Sequence, residues 1–221
     1  MEESGLKTGL CNSWITIFSV ILLLIFNVGF VIKSIGGGWF YSFCSVMEFD
    51  RNLILKGEIW RIVTCHLVHW SPEHFYLDSI VFIFQGITFE KKIGRQYWKV
   101  LLLSALFIST ALLFLRQDLF FYRGISGLIN TQLVLGTGLF IFDKALGKGL
   151  RGIFVICFSI HMIKIIYETI NRAPFFSTNL LGDMGLFTPV AHLSGVVVGF
   201  LFLSIYLSRL SGQAQPVFDP A

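Results

Sequence analysis

Two short stretches hold the side chains best suited to bond chemistry. In "FFYRGISGLINTQ" (120–132), Ser126 stands between Gly124 and Gly127 where a long apolar run begins. In "PVAHLSGVVVGF" (189–200), His192 sits one turn before a GxxxG step formed by Gly195 and Gly199. A serine hydroxyl becomes a nucleophile when a neighbouring base takes its proton. An ionisable residue inside an apolar segment is a functional candidate, because immersing it in lipid is costly. If the GxxxG face packs on the glycines of the Ser126 segment, hydroxyl and imidazole come within hydrogen-bond reach. No third acid is evident, so the expected unit is a Ser–His dyad. Two plainer readings stay open: a packing notch of small residues at Ser126, and a His192 satisfied by a backbone carbonyl.

The other chemistry-bearing side chains form two groups. His69, His74 and Asp78 lie in "HLVHWSPEHFYLD" (66–78), and His161, Lys164 and Glu168 follow a spacing of three and four that puts them along one helix face. The second group is either functional or a self-compensating stripe, with Lys164 and Glu168 paired at i, i+4 and partly snorkelling.

The elements that must position these residues are membrane helices. The 221-residue chain is 55% hydrophobic and only 14% charged, and its mean hydropathy is +0.75; several windows have too little charge for a water-facing surface. Its net charge of +4 is spread between apolar runs and forms no basic patch, so nucleic-acid binding has no support. Cys11, Cys44, Cys65 and Cys157 are scattered without metal-type spacing and read as apolar fillers, and no cofactor or metal is expected. The run from Trp14 is too long for a cleavable signal.

Six spans are predicted, at about 13–34, 73–90, 97–115, 125–142, 150–170 and 190–208, in a single all-α membrane domain covering 1–221. Segment 36–72 is aromatic and mixed, as expected of a structured loop at the bilayer surface. Lys7, Lys91, Lys92, Arg95, Lys144, Lys148, Arg151 and Arg209 fall on one side, which the positive-inside rule makes cytoplasmic together with both termini. Spans two, four and six then all start on the opposite face. His69, His74 and Asp78, Ser126, and His192 therefore share one depth.

Taken together, "RGISGLIN", "AHLSGVVVG", Trp60–Arg61, "HLVHWSPEHFYLD" and "QGITFEKKIG" are similar to the rhomboid family of intramembrane serine proteases, over roughly residues 55–210. The resemblance implies a six-helix bundle that cleaves membrane-anchored protein substrates. It implies Ser126 as nucleophile, His192 as general base, His74 as a donor to the oxyanion, and His69 as the histidine preceding it in an HxxxxH pattern. Gly86 and Glu90 match a GxxxE-like step that locks span two to its neighbours.

Two positions depart from the family pattern. Asp78 replaces a common asparagine, and an ionised carboxylate would repel an oxyanion unless it is protonated or turned toward His74. Asn130 stands where relatives carry a tyrosine stacked on the histidine. With the Lys164/Glu168 stripe, these features resemble rhombosortases, a bacterial branch implied to process proteins with glycine-rich C-terminal sorting tails. That implies the inner membrane, with the active site open to the non-cytoplasmic side. Loop 171–189 is read as a gate over the cavity or an interfacial anchor. The chief rival is an inactive rhomboid-like protein that binds clients without cutting; a small transporter is disfavoured by the lack of an internal inverted repeat.

Overall fold

Long windows of leucine, isoleucine, valine and phenylalanine leave the backbone no water to bond to, so its polar groups are satisfied within helices. The computed structural model describes residues 13–32, 37–175 and 188–213. In order the elements are α1 (Trp14–Phe26), α2 (Val28–Val31), α3 (Gly38–Met47), β1 (Phe49–Asp50), α4 (Arg51–Leu55), α5 (Arg61–Thr64), α6 (Pro72–Ile93), a 3-10 turn (Gly94–Gln96), α7 (Tyr97–Leu115), β2 (Phe121–Tyr122), α8 (Ser126–Ile141), α9 (Lys148–Asn171) and α10 (Pro189–Gln213). Three stretches among the described residues are long and apolar enough to cross a membrane: Pro72–Leu115, which folds as α6 and α7, then Lys148–Asn171 and Pro189–Arg209. Trp14–Phe26 and Ser126–Ile141 are shorter apolar helices. Large side chains such as Phe84, Leu115 and Ile170 face outward, as lipid contact permits. This is an integral membrane protein.

The helix expected over 13–34 is interrupted at Asn27. That side chain donates to Leu23 O at 2.8 Å and to Leu67 O at 2.7 Å, so an amide that would be stranded in lipid is spent on the loop ahead of α6.

Helix α8 is the hub. It packs against α6, α7, α9 and most extensively α10, and nearly every residue from Gly127 to Leu139 is buried. Small residues make the α8–α10 approach close. A Cβ at Gly195 would overlap the Gly127 carbonyl oxygen, and one at Gly199 would lie 3.0 Å from Thr131 O. Thr131 Oγ1 donates to Gly195 O at 2.9 Å. By contrast α9 buries only His161, Ile165 and Glu168, so two members of the spaced polar stripe turn inward, while Lys164, paired with Glu168, is half-buried.

The aromatic segment before α6 is built from α3, β1, α4 and α5. Arg61 stitches it, donating to Ser45 O at 2.7 Å, Glu48 O at 2.9 Å and Glu58 Oε2 at 2.8 Å. Phe49 pairs with Tyr122 and Asp50 with Phe121 across an antiparallel two-strand sheet, which ties this segment to the residues just before Ser126.

Glu90 is a cap supplied from another helix. Its carboxylate accepts from Ile15 N at 2.9 Å, Thr16 N at 2.7 Å and Thr16 Oγ1 at 2.6 Å. These amides open α1 and have no intrahelical acceptor, and the helix dipole favours an anion there. Gly86, one turn earlier, lets Thr16 sit against α6, since a Cβ there would meet the threonine side chain. Glu90→Ala is therefore expected to cost about 3–5 kcal/mol, because buried donors lose a charged partner. The check is the thermal unfolding midpoint in detergent, where a shift no larger than that of an exposed substitution would contradict the capping role.

Candidate active site

Ser126 is the first residue of α8, so its N–H and that of Gly127 precede the first intrahelical bonds, which Leu128 N and Ile129 N make to Ile125 O at 2.9 and 3.1 Å. The positive end of the helix dipole thus faces the serine. Its hydroxyl Oγ lies 3.0 Å from His192 Nε2. The imidazole comes from the first turn of α10, and the glycine-lined α8–α10 contact brings the two side chains together.

His192 Nδ1 lies 2.9 Å from Glu168 Oε2 on α9. Glu168 is 3% exposed. It also takes the Lys164 ammonium at 2.8 Å and the Phe175 N–H at 3.3 Å. No third acid was expected beside Ser126 and His192, yet the Glu168 carboxylate lies against the imidazole. His161 is buried about two turns before Glu168 on α9, with Nε2 unpaired among the described residues.

On the other side of the serine, the chain turns at Gly124 with φ +130°, a left-handed conformation for which glycine is suited. A Cβ there would also lie 3.0 Å from His74 Cε1 and 3.2 Å from its Nε2, so the absence of a side chain allows His74 to approach the backbone next to Ser126. Asp78 Oδ2 lies 3.3 Å from His74 Nε2 and 3.6 Å from His69 Nε2. It is turned toward both rings. His69 Nδ1 lies 3.3 Å from Asn27 Oδ1, and burial, the largest influence on it, pushes the proton affinity of His69 down. Asn130 donates to Ser126 O at 2.7 Å, so it braces the serine's own turn.

His66 belongs to the same framework, although nothing in its spacing singled it out. Its Nδ1 faces Gly124 O at 3.3 Å, and its Nε2 faces Ser109 Oγ at 3.0 Å and Ala105 O at 3.2 Å. Burial pushes its pKa down to about 4, so the ring is a neutral tie that holds the Gly124 turn to α7. Tyr122 donates to the same carbonyl at 2.9 Å. Gly124 N donates to Cys65 O at 3.0 Å. Arg123, the remaining residue of this turn, pairs with Glu48 at 2.8 Å and lies 4.3 Å from the Trp70 ring centre.

Ser126, His192, His74, His69, Asp78, Gly124 and Gly127 are thus assembled around one point, whereas Gly86 and Glu90 lie at the α1–α6 contact, and Gly195 and Gly199 at the α8–α10 contact. The expected gate over 171–189 falls largely on 176–187, outside the described residues, as do Lys7, Cys11 and Lys33.

Residues 56–209, more than half of the chain, match the family model described as Rhomboid domain. No curated protein matches the chain.

Proposed function

The chain belongs to the rhomboid family, whose members are generally intramembrane serine proteases, and from that premise we propose that it is an intramembrane serine endopeptidase acting through Ser126 and His192. The observation that carries the reading is the 3.0 Å contact between Ser126 Oγ and His192 Nε2. Ser126 Oγ attacks the scissile carbonyl while its proton passes to His192 Nε2. The carbonyl oxygen becomes an oxyanion, met by the amides at the start of α8 and by His74. His192 then gives its proton to the leaving amine as the C–N bond breaks, and water releases the acyl group from Ser126 in a second step. The water reaches the site from the non-cytoplasmic side, with six helices crossing the bilayer and both termini in the cytoplasm.

The substrates in this reading are membrane-anchored proteins whose helices unwind at the cut, which favours glycine there. The finer assignment is to a rhombosortase of a bacterial inner membrane that processes glycine-rich C-terminal tails.

The test uses the full chain in liposomes with a fluorophosphonate probe and single-span reporters, one of which ends in a glycine-rich tail. The parent is expected to label at Ser126 and to cleave, and Ser126→Ala not to label and to keep no more than about 10⁻⁴ of the parent cleavage rate. Cleavage near the parent rate in Ser126→Ala sinks the mechanism; reporter binding without cleavage or labelling by the parent supports the inactive client-binding reading instead. A preference for the reporter with the glycine-rich tail supports the rhombosortase assignment, and indifference opposes it.

His74→Ala is expected to lower kcat about 10²–10³-fold at nearly constant KM, the size of effect usual for one oxyanion donor. Asp78→Asn, which keeps a partner for both imidazoles, is expected to stay within about tenfold of the parent. A larger loss in Asp78→Asn than in His74→Ala would show that the carboxylate does more than hold His74.

A further inference from the structure

We infer that Glu168 is the positioning residue that turns the Ser126–His192 pair into a three-membered relay, with Lys164 keeping its carboxylate in place. The inference rests on the proteolytic reading above and concerns how His192 is held.

An imidazole can serve as base to Ser126 only if Nε2 carries the lone pair, which requires the neutral ring to hold its proton on Nδ1. The group facing Nδ1 decides this. Glu168 Oε2 is 2.9 Å away. An ionised carboxylate only accepts hydrogen bonds, so Nδ1 must donate and Nε2 is left free to receive. When Ser126 gives up its proton, the imidazolium that forms finds a negative charge already beside it, and no group has to reorganise. Two further contacts keep Glu168 ionised and aimed. The Lys164 ammonium lies 2.8 Å from it, and Phe175 N–H donates at 3.3 Å to Oε1, the oxygen turned away from His192.

The surroundings argue against a purely local role for the pair. Lys164 precedes Glu168, the less favourable order for an i, i+4 helix pair, so the pairing contributes little to helix stability. Helix α9 otherwise shows mostly apolar side chains to the outside, and of its 24 residues only His161, Ile165 and Glu168 are buried. A carboxylate turned inward from such a helix, 3% exposed and in contact with the one imidazole that touches Ser126, is positioned for the base.

The experiment compares parent, Glu168→Gln, Glu168→Asp and the double variant K164M/E168Q as full chains in liposomes. It reads the fluorophosphonate labelling rate at Ser126, kcat and KM on the single-span reporter, and the thermal midpoint. In Glu168→Gln the amide can donate to Nδ1 and favour the tautomer that blocks Nε2. Its kcat and labelling rate are therefore expected to fall about 10²–10⁴-fold with KM within about twofold, and Glu168→Asp to regain at least a tenth of the parent rate. Should Glu168→Gln fail to fold because Lys164 is left unpaired, the double variant removes both charges and carries the same expectation. A parent that labels and cleaves alongside a folded Glu168→Gln or double variant at the parental rate overturns this inference and leaves the proteolytic reading intact. A rise in KM with kcat unchanged also overturns it. A parent that neither labels nor cleaves overturns the proteolytic reading itself.

Discussion

His192→Ala is expected to lower the cleavage rate by roughly 10⁴–10⁶-fold, and the double variant with Ser126→Ala to be no slower than either single change. The reason is that in the proposed mechanism the two groups perform one event. Ser126 Oγ and His192 Nε2 are 3.0 Å apart, and a proton must cross that gap as the oxygen attacks. Removing the base leaves a serine hydroxyl whose proton has no acceptor; removing the hydroxyl leaves a base with nothing to activate. Either loss therefore exhausts most of what the other could lose. The oxyanion contacts and substrate binding survive, so a residual rate above background is expected in all three variants. Independent contributions would instead multiply, and a double variant far below both single ones would contradict the proposed unit.

Gly195→Leu should unfold the bundle or split its active centre, with an expected cost above about 4 kcal/mol. A Cβ at this position overlaps the Gly127 carbonyl oxygen and would lie 3.2 Å from Asn130 Cβ. The obstacle is backbone, so no rotamer change relieves it, and α10 must move away from α8. His192 and Ser126 sit within a turn on the same two helices, so the displacement that relieves the overlap also breaks the contact between Ser126 Oγ and His192 Nε2. Gly152→Ala on α9 supplies the contrast. Nothing lies within 4 Å of a Cβ there, and a helical Gly→Ala change into open space is expected to be neutral or stabilising by up to about 1 kcal/mol. Thermal midpoints and fluorophosphonate labelling of both variants provide the check; a Gly195→Leu protein that melts and labels like the parent would remove the close α8–α10 approach from the account.

The meeting of Ser126 and His192 was legible because both are polar residues placed near the same end of apolar runs and flanked by small residues. Periodicity and charge distribution are enough to bring such residues to one depth. The inward face of Glu168 was not legible. Sequence showed only a Lys–Glu pair with helical spacing, and whether such a stripe faces lipid, water or the core depends on how α9 is rotated against its neighbours. The break at Asn27 was hidden for a related reason: its acceptor, Leu67 O, lies 40 residues along the chain. Two-residue strands such as Phe49–Asp50 carry no alternating pattern, so the pairing with Phe121–Tyr122 left no trace in the segment read as an interfacial loop. His66 looked like one more histidine in a motif, because its partners on α7 and at Gly124 are brought close only by the fold.

The carboxylate of Glu90 also governs how α1 can respond to bilayers of different thickness. Sliding that helix by one turn, about 5.4 Å, would pull two amides and a hydroxyl away from an acid that has no water to turn to. Helix α1 is thus barred from moving like a piston, and a mismatch between its short apolar length and the surrounding hydrocarbon must be met by the lipid, which thins or tilts around a fixed first helix.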